Sequence, residues 1–436
     1  MNSQGRLARR VVAVASTLVI GFGGATLPAL AASADPSIPA GWIDEQVDFI
    51  LSKQLDDGAI LGVTRVGYID INPYFNNIAA LGLLAADTTE SRAGALEWMQ
   101  WYLDHLNAAA TNVPANSVFD YRYYPATDTQ VSVGDFDSVD SYASTALNVA
   151  WAAYETGDPA LQSFVSSNIT TYEAIANILN FGPTVGVRIE PPNAGAGLTI
   201  AKPSYAMPYT MDNTEVFSGL RDFAALQAAL GRTSQAGYYG AWAGTSQSAV
   251  TDLLWNPAND NWDWAYLNTS DTDVFYAQGV AQLWPILDGV VTPADAKAVS
   301  GWNQFEASWP DWYDGGVPDA YPWISLARAA QLMGDWDNAA AHLTDAHDRY
   351  ASGGFTTPTS CGATTCGQWY VAEAGWFIQA AIADGGGGAA LAAVPSELAA
   401  TGSPVPLTTV IGAVLVLLAG VGAAAFAFAS RRRLAL

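Results

Sequence analysis

Apolar residues recur along this chain at helical spacing, in long segments broken by Gly, Pro, Asn and Asp. The segments fall into six successive pairs: 43–55 with 73–86, 91–107 with 139–155, 160–180 with 213–230, 234–254 with 273–288, 293–306 with 319–333, and 336–350 with 368–383. Short links join one pair to the next, at 87–90, 156–159, 231–233 and 334–335. Inside most pairs the link is long: 56–72, 108–138, 181–212, 255–272 and 351–367, with a shorter one at 307–318. Helices adjacent in sequence tend to pack as neighbours, and their connections run over the surface. Alternating short and long links therefore send the long ones to one end of the assembly.

The second segment of each pair is rich in small residues, such as Ala79, Ala80 and Gly82, or Ala372, Ala374 and Gly375. Small residues permit close helix approach, which an inner layer requires. Six pairs closing on themselves form a two-layered ring with every long loop on one rim. An open helical array, whose loops only connect, is the alternative. With this pairing the chain resembles the six-hairpin (α/α)6 toroids, over 42–383. That group includes many glycoside hydrolases and some polysaccharide lyases. The resemblance rests on architecture and on acidic and aromatic residues at the expected places. It implies an all-α fold class.

Both ends of the chain differ from this body. Residues 1–34 read as a secretory signal: Arg6, Arg9 and Arg10, an apolar run, then the small residues Ala32, Ser33 and Ala34. The predicted (α/α)6 body occupies 35–384, followed by a Gly/Ala-rich linker at 385–397. Residues 398–436 hold Leu398-Ala399-Ala400-Thr401-Gly402, an apolar stretch at 407–429 long enough to span a bilayer, and Arg431–Arg433. This order resembles the sorting signal of Gram-positive surface proteins, in its Leu-Ala-x-Thr-Gly form. It implies a sortase as partner, with cleavage between Thr401 and Gly402; an ordinary single-span membrane anchor is the alternative. Either way the body is expected outside the cell.

The whole chain has 17 Lys plus Arg against 41 Asp plus Glu, a net charge of −24. That balance excludes nucleic acid, which needs a basic surface, and disfavours strongly anionic polymers. Export favours a disulfide between Cys361 and Cys366. His105, His342 and His347 all fall on first helices of pairs, where packing or surface roles are expected. No metal and no cofactor is expected.

Carboxylates concentrate where long loops enter second helices: Asp137 and Asp140 before the fourth helix, Asp212 and Glu215 at the sixth, and Glu373 in the twelfth. Asp at a helix start is commonly a cap, and Asp212-x-x-Glu215 fits a capping box. Asp273 and Asp319 read as caps on that ground. Two carboxylates at one start exceed what capping needs. Glu373 lies among apolar residues, where an ionised carboxylate is costly unless it faces a central funnel. Asp212 or Glu215 is the preferred general acid, and Glu373 the preferred base, with Asp137 or Asp140 next. Loop aromatics and polar groups suit a sugar, which offers an apolar ring face and a rim of hydroxyls. The candidate binding residues are Asp57, Tyr74, Asn77, Tyr124, Tyr142, Trp262, Trp264, Trp312, Tyr321 and Trp369. The expected function is hydrolysis of a largely neutral glycan by two carboxylates, which the resemblance implies is inverting. A non-catalytic glycan-binding surface protein and a polysaccharide lyase are the alternatives.

Overall fold

A computed structural model describes residues 38–315, 317–319, 321–355 and 368–384, all within one compact unit. The secretory signal, Cys361, Cys366, the linker, the sorting signal and the apolar stretch 407–429 lie outside the described residues. Among the described residues, no helix is long and apolar enough to cross a membrane.

The helices are α1 (Ala40–Ser52), α2 (Pro73–Ala86), α3 (Thr89–Asp104), α4 (Val139–Glu155), α5 (Pro159–Ser167), α6 (Ile169–Asn180), α7 (Thr210–Ala229), α8 (Thr233–Leu253), α9 (Trp284–Leu287), α10 (Ala296–Ser308), α11 (Ser325–Met333), α12 (Trp336–Ala351) and α13 (Val371–Asp384). Local chemistry sets many of their ends. Asn72 accepts a hydrogen bond from Phe75 N with Pro73 at the first helical position, and Asp158 caps α5 ahead of Pro159. Thr88 and Ser91 form a reciprocal capping box on α3. Gly334 stops α11 in a left-handed conformation that glycine adopts without a Cβ penalty.

The second helices form the inner layer, and that layer closes. α2 packs on α4, α4 on α7, α7 on α9, α9 on α11, α11 on α13, and α13 back on α2. Outside them, α1 touches α2 and α13, α3 touches α2 and α4, α6 touches α4, α8 touches α7, and α12 touches α11 and α13. The closing seam between α13 and α2 depends on glycine. A Cβ on Gly82 would lie 2.5 Å from Gly375 Cα, and one on Gly375 would lie 2.4 Å from the Ile78 carbonyl oxygen. Between α4 and α7, a Cβ on Gly219 would lie 2.5 Å from the Ser144 carbonyl oxygen.

Three expectations are corrected. The first helix of the third pair is two helices, α5 and α6, meeting at Asn168. The continuous helix expected over 273–288 is absent. Tyr276 is extended (φ −105, ψ 128) inside a single wide turn at Phe275–Gly279, a 3-10 turn follows at Val280–Gln282, and only α9 is α-helical. Pro285, which lacks an N–H, is tolerated because it sits in the first turn of α9. The long loops also contain strands. β1 (Ile69–Ile71), β2 (Tyr121–Tyr124) and β3 (Thr129–Ser132) form an antiparallel sheet in that order, and β4 (Trp255–Asn256) pairs with β5 (Asn261–Trp262).

Candidate active site

The inner helices present their N-terminal turns to the long-loop rim, so residues near those starts converge. Asp140 is the second residue of α4, Asp212 the third of α7, and Glu373 the third of α13; Tyr74 is the second of α2 and Glu215 lies one turn into α7. The four carboxylates are buried: Asp140 is 0%, Glu373 3%, Glu215 5% and Asp212 9% exposed. Among the described residues none of them is in an ion pair with Lys, Arg or His. Burial without a cation destabilises the charged form and raises a carboxyl pKa. Burial accordingly pushes Glu215 up to about 7 and Glu373 up to about 7. It pushes Asp140 to about 6 against the bonds that Thr199, Ser138 and Ser141 donate, and holds Asp212 well above the usual range, reinforced by the Asp140 charge.

Each carboxylate is fixed by contacts across the ring. Tyr74 Oη donates to Glu215 Oε1 at 2.6 Å and Trp284 Nε1 donates to the same oxygen at 2.9 Å, tying α7 to α2 and α9. The amides of Trp323 and Ile324 donate to Glu373 Oε1 and Oε2 at 3.3 and 2.8 Å. Ser138 Oγ lies 2.7 Å from Asp140 Oδ1 and 2.6 Å from Asp212 Oδ2. Thr199 Oγ1 donates to Asp140 Oδ2 at 2.7 Å. The loop carrying Thr199 is itself pinned to both helices. Val139 N donates to the Ala201 carbonyl, and Asn213 exchanges two hydrogen bonds with the Thr199 backbone. Asp140 and Asp212 are thus held in register by a loop that neither belongs to.

Ser138 occupies the N-cap of α4 but makes no capping bond with its side chain. A serine cap contributes about 1 kcal/mol to a helix; here the hydroxyl serves the two carboxylates instead. Asp212 and Glu215 are not a capping box either, because the N-cap of α7 is Tyr209. Asp273 does not cap a helix: its backbone N–H donates to Asp271 and its carboxylate accepts from Ser308.

The remaining candidates separate into two groups. Asp137 is exposed, and its backbone N–H donates to Tyr142 Oη at 3.2 Å, one residue before Ser138. Tyr321 pairs with Tyr370 at 4.9 Å, and Tyr370 with Phe75 at 4.9 Å, beside Glu373 and Tyr74. Trp264 is half-buried and lies 5.7 Å from Tyr209, which precedes α7. Tyr142 does not face the pocket freely: its hydroxyl donates to Asp120 Oδ1 at 2.7 Å and it is 1% exposed.

Asn77 joins α2 to α3 and α4 through Trp98, Thr145 and the Tyr142 carbonyl. Asp57 is bound to Gln130 and the Ala59 amide, and Tyr124 packs on Tyr68 from β2. Trp262, Trp312 and Trp369 are core residues, not ring platforms. Trp262 packs on Trp255, Trp312 on Trp302 and His342, and Trp369 on Tyr350, Phe355 and Phe377. Large indole rings seal the interior beneath the long loops, where sequence alone shows only an aromatic near an acid.

Sequence reasoning missed Ser138, Thr199, Trp284, Asp288, Tyr276 and Trp323 as parts of the site. Thr214 donates to Asp288 Oδ2 at 2.6 Å, and burial together with the nearby Glu215 charge pushes Asp288 up to about 8. Asp288 ends what reads as an ordinary helix, and Trp284 sits in an apolar run, so neither carries a signal in the sequence. His105 stacks on Trp101, His342 packs on Trp312, and His347 stacks on Trp42. Among the described residues no group of three His, Cys, Asp or Glu side chains is placed to hold a metal ion.

No protein-family model matches this sequence, and no curated protein matches it. Solved structures do share the fold. A glycosidase in its wild-type form is 12% identical with a TM-score of 0.52, covering 79% of this chain and 96% of its own. A variant of it solved in complex with glucose is 12% identical with a TM-score of 0.51 over the same shares. A GH76 α-mannanase of Bacteroides thetaiotaomicron is 11% identical with a TM-score of 0.50, covering 78% of this chain and 94% of its own. At such identities the likeness extends to the fold: this chain has the helical toroid architecture that those enzymes share.

Proposed function

We propose that this chain is an exported glycoside hydrolase acting on a largely neutral glycan with inversion, with Asp212 as general acid and Glu373 as general base. The observation that carries the reading is the placement of these two carboxyls. α7 and α13 are the third and sixth members of a closed six-membered inner layer, and Asp212 and Glu373 each lie in the first turn of their helix, which supports reading them as facing one another across the ring axis. Inverting hydrolysis needs two carboxyl groups on either side of the scissile bond, with room for a water at the base. Asp212 holds its proton and gives it to the leaving oxygen as the glycosidic bond breaks. Glu373, aimed by two backbone amides, takes a proton from the water that attacks the anomeric carbon. A base that titrates near 7 is suited to neutral operation.

Asp212 is preferred to Glu215 because Glu215 Oε1 already accepts from both Tyr74 and Trp284, which hold that carboxyl in place. Tyr74, Tyr276, Tyr321, Trp323 and Tyr370 supply aromatic walls for sugar ring faces. The structural neighbours carry the names glycosidase and mannanase, which supports the class while the fold alone does not fix it.

A lyase would need a cation to neutralise a uronate. Arg65 pairs with Asp70, Lys202 with Asp135, Arg122 lies over Tyr68, and Arg188 is buried against loop carbonyls. Four buried carboxyls with no cation partner among the described residues favour proton transfer over binding alone. Attachment at the surface through Thr401 is part of the same proposal and rests on the sequence 398–436.

The test is a panel of neutral glycans incubated with the purified protein, with the anomer of the first product followed by proton NMR. The expected result is release of the inverted anomer, lowered about 10²–10⁴-fold in Asp212→Asn. Binding of a glycan with no bond cleavage across the panel would replace this reading with the binding-protein one.

A further inference from the structure

Ser138 Oγ has one proton and two carboxylate neighbours, Asp140 Oδ1 at 2.7 Å and Asp212 Oδ2 at 2.6 Å. One hydroxyl can donate to only one of them. If both were ionised, the second oxygen would face lone pairs at hydrogen-bond distance in a buried site. The contact is favourable only when one carboxyl is protonated and itself donates to Ser138 Oγ.

The other partners decide which one. Asp140 also accepts from Thr199 Oγ1 and from Ser141 N, donors that favour a carboxylate. Among the described residues, the buried guanidinium of Arg188 hydrogen-bonds to neutral oxygens of Leu179, Gly197 and Ser246, and it lies in the field of Asp140. Asp212 has no backbone amide and no cation among its described partners. The groups facing it are Asp140 and Asp137 from α4 and the residues before it, Glu215 and Tyr209 from its own helix and N-cap, Ser141, and Tyr276 from the segment before α9. All are anionic or neutral.

We propose that Ser138 and Asp140 form a buried relay that keeps a proton on Asp212: the Asp212 carboxylic O–H donates to Ser138 Oγ, and the Ser138 O–H donates to the Asp140 carboxylate. This deepens the reading of Asp212 as general acid and rests on it. Asp140 is a positioning residue that does not touch substrate. When Asp212 gives up its proton to the leaving oxygen, two ionised carboxylates are left around one hydroxyl. That arrangement favours taking a proton back from solvent and readies the acid for the next turnover. It also accounts for a serine at a helix N-cap that does no capping.

Two readouts on the full chain test it. Asp140→Asn removes the charge but keeps an oxygen acceptor for Ser138. The alkaline limb of the kcat profile is expected to move to lower pH by about one unit or more, because a like charge at this range raises a carboxyl by that order. Ser138→Ala is expected to move the limb the same way, and Ser138→Thr, which restores the hydroxyl, to return it. A lowered kcat with an unmoved limb in both Asp140→Asn and Ser138→Ala would overturn the relay while leaving the hydrolase reading intact.

The second readout needs no activity. The infrared difference between wild type and Asp212→Asn at neutral pH is expected to show the carbonyl stretch of a protonated carboxylic acid, and in the Asp140→Asn background to lose it at lower pH. Absence of that band overturns the relay. Its presence in a protein that cleaves no glycan keeps the relay and removes the glycosidase reading.

Discussion

Replacing Glu373 by Gln should separate stability from catalysis. Burial raises this carboxyl from 4.5 to about 7, against the amides of Ile324 and Trp323 and with help from Asp319. The folded state therefore keeps the Glu373 proton to a higher pH than the unfolded chain does. Its contribution to stability is complete below the unfolded value and is lost as pH rises through about 7. At about 1.4 kcal/mol for each tenfold change, the gap from 4.5 to about 7 amounts to about 3 kcal/mol.

Glutamine resembles the protonated acid and never charges. Its oxygen keeps the 2.8 Å bond from Ile324 N, while its amide nitrogen faces Trp323 N, whose 3.3 Å bond is the weaker. Losing that acceptor costs about 1 kcal/mol. Urea unfolding should therefore find Glu373→Gln less stable than wild type by about 1 kcal/mol near pH 3 and more stable by about 2 kcal/mol near pH 8.5. Hydrolysis at neutral pH should fall about 10²–10⁴-fold. A variant that is less stable by the same margin at every pH, or by a margin that grows as pH rises, would refute the argument, since it would show that the amides balance or outweigh the burial of the carboxylate.

Two further outcomes follow from the seam and the tail. Gly375→Ala should destabilise the protein by about 1–3 kcal/mol in thermal unfolding through overpacking at the α2–α13 seam, whereas Gly41→Ala on α1, with nothing within 4 Å of the added Cβ, should not destabilise it. Mass spectrometry of envelope fragments should find the mature chain ending at Thr401; recovery of 407–429 in the surface protein would favour the plain membrane anchor instead.

Much of the architecture was legible because its causes are local. Apolar spacing and the breaks at Gly, Pro, Asn and Asp act within a few residues, and they mark α2, α3 and α4 in the sequence close to where the fold has them. The alternation of short and long links separated the two rims, and the small residues Gly82 and Gly375 anticipated a tight inner layer. Carboxylates at the starts of α4, α7 and α13 were visible for the same reason. The segment before α9 was not, since an apolar run from Phe275 to Leu287 reads as a helix until the packing around Tyr276 is known.

What the tertiary structure alone decided is which side chains meet. Ser138 reaches Asp212 across 74 positions, Tyr74 reaches Glu215 across 141, and Thr199 reaches Asp140 across 59. Nothing local encodes those contacts; they exist because the inner layer closes and brings its helix starts around one axis. The same closure sorted the aromatics. It buried Trp262, Trp312 and Trp369 beneath the loops and left Tyr276 and Tyr321 near the acids. Residue type gave the chemistry available at each helix start, but the charge state of each carboxyl depends on burial and on donors from other segments, which only the folded ring supplies.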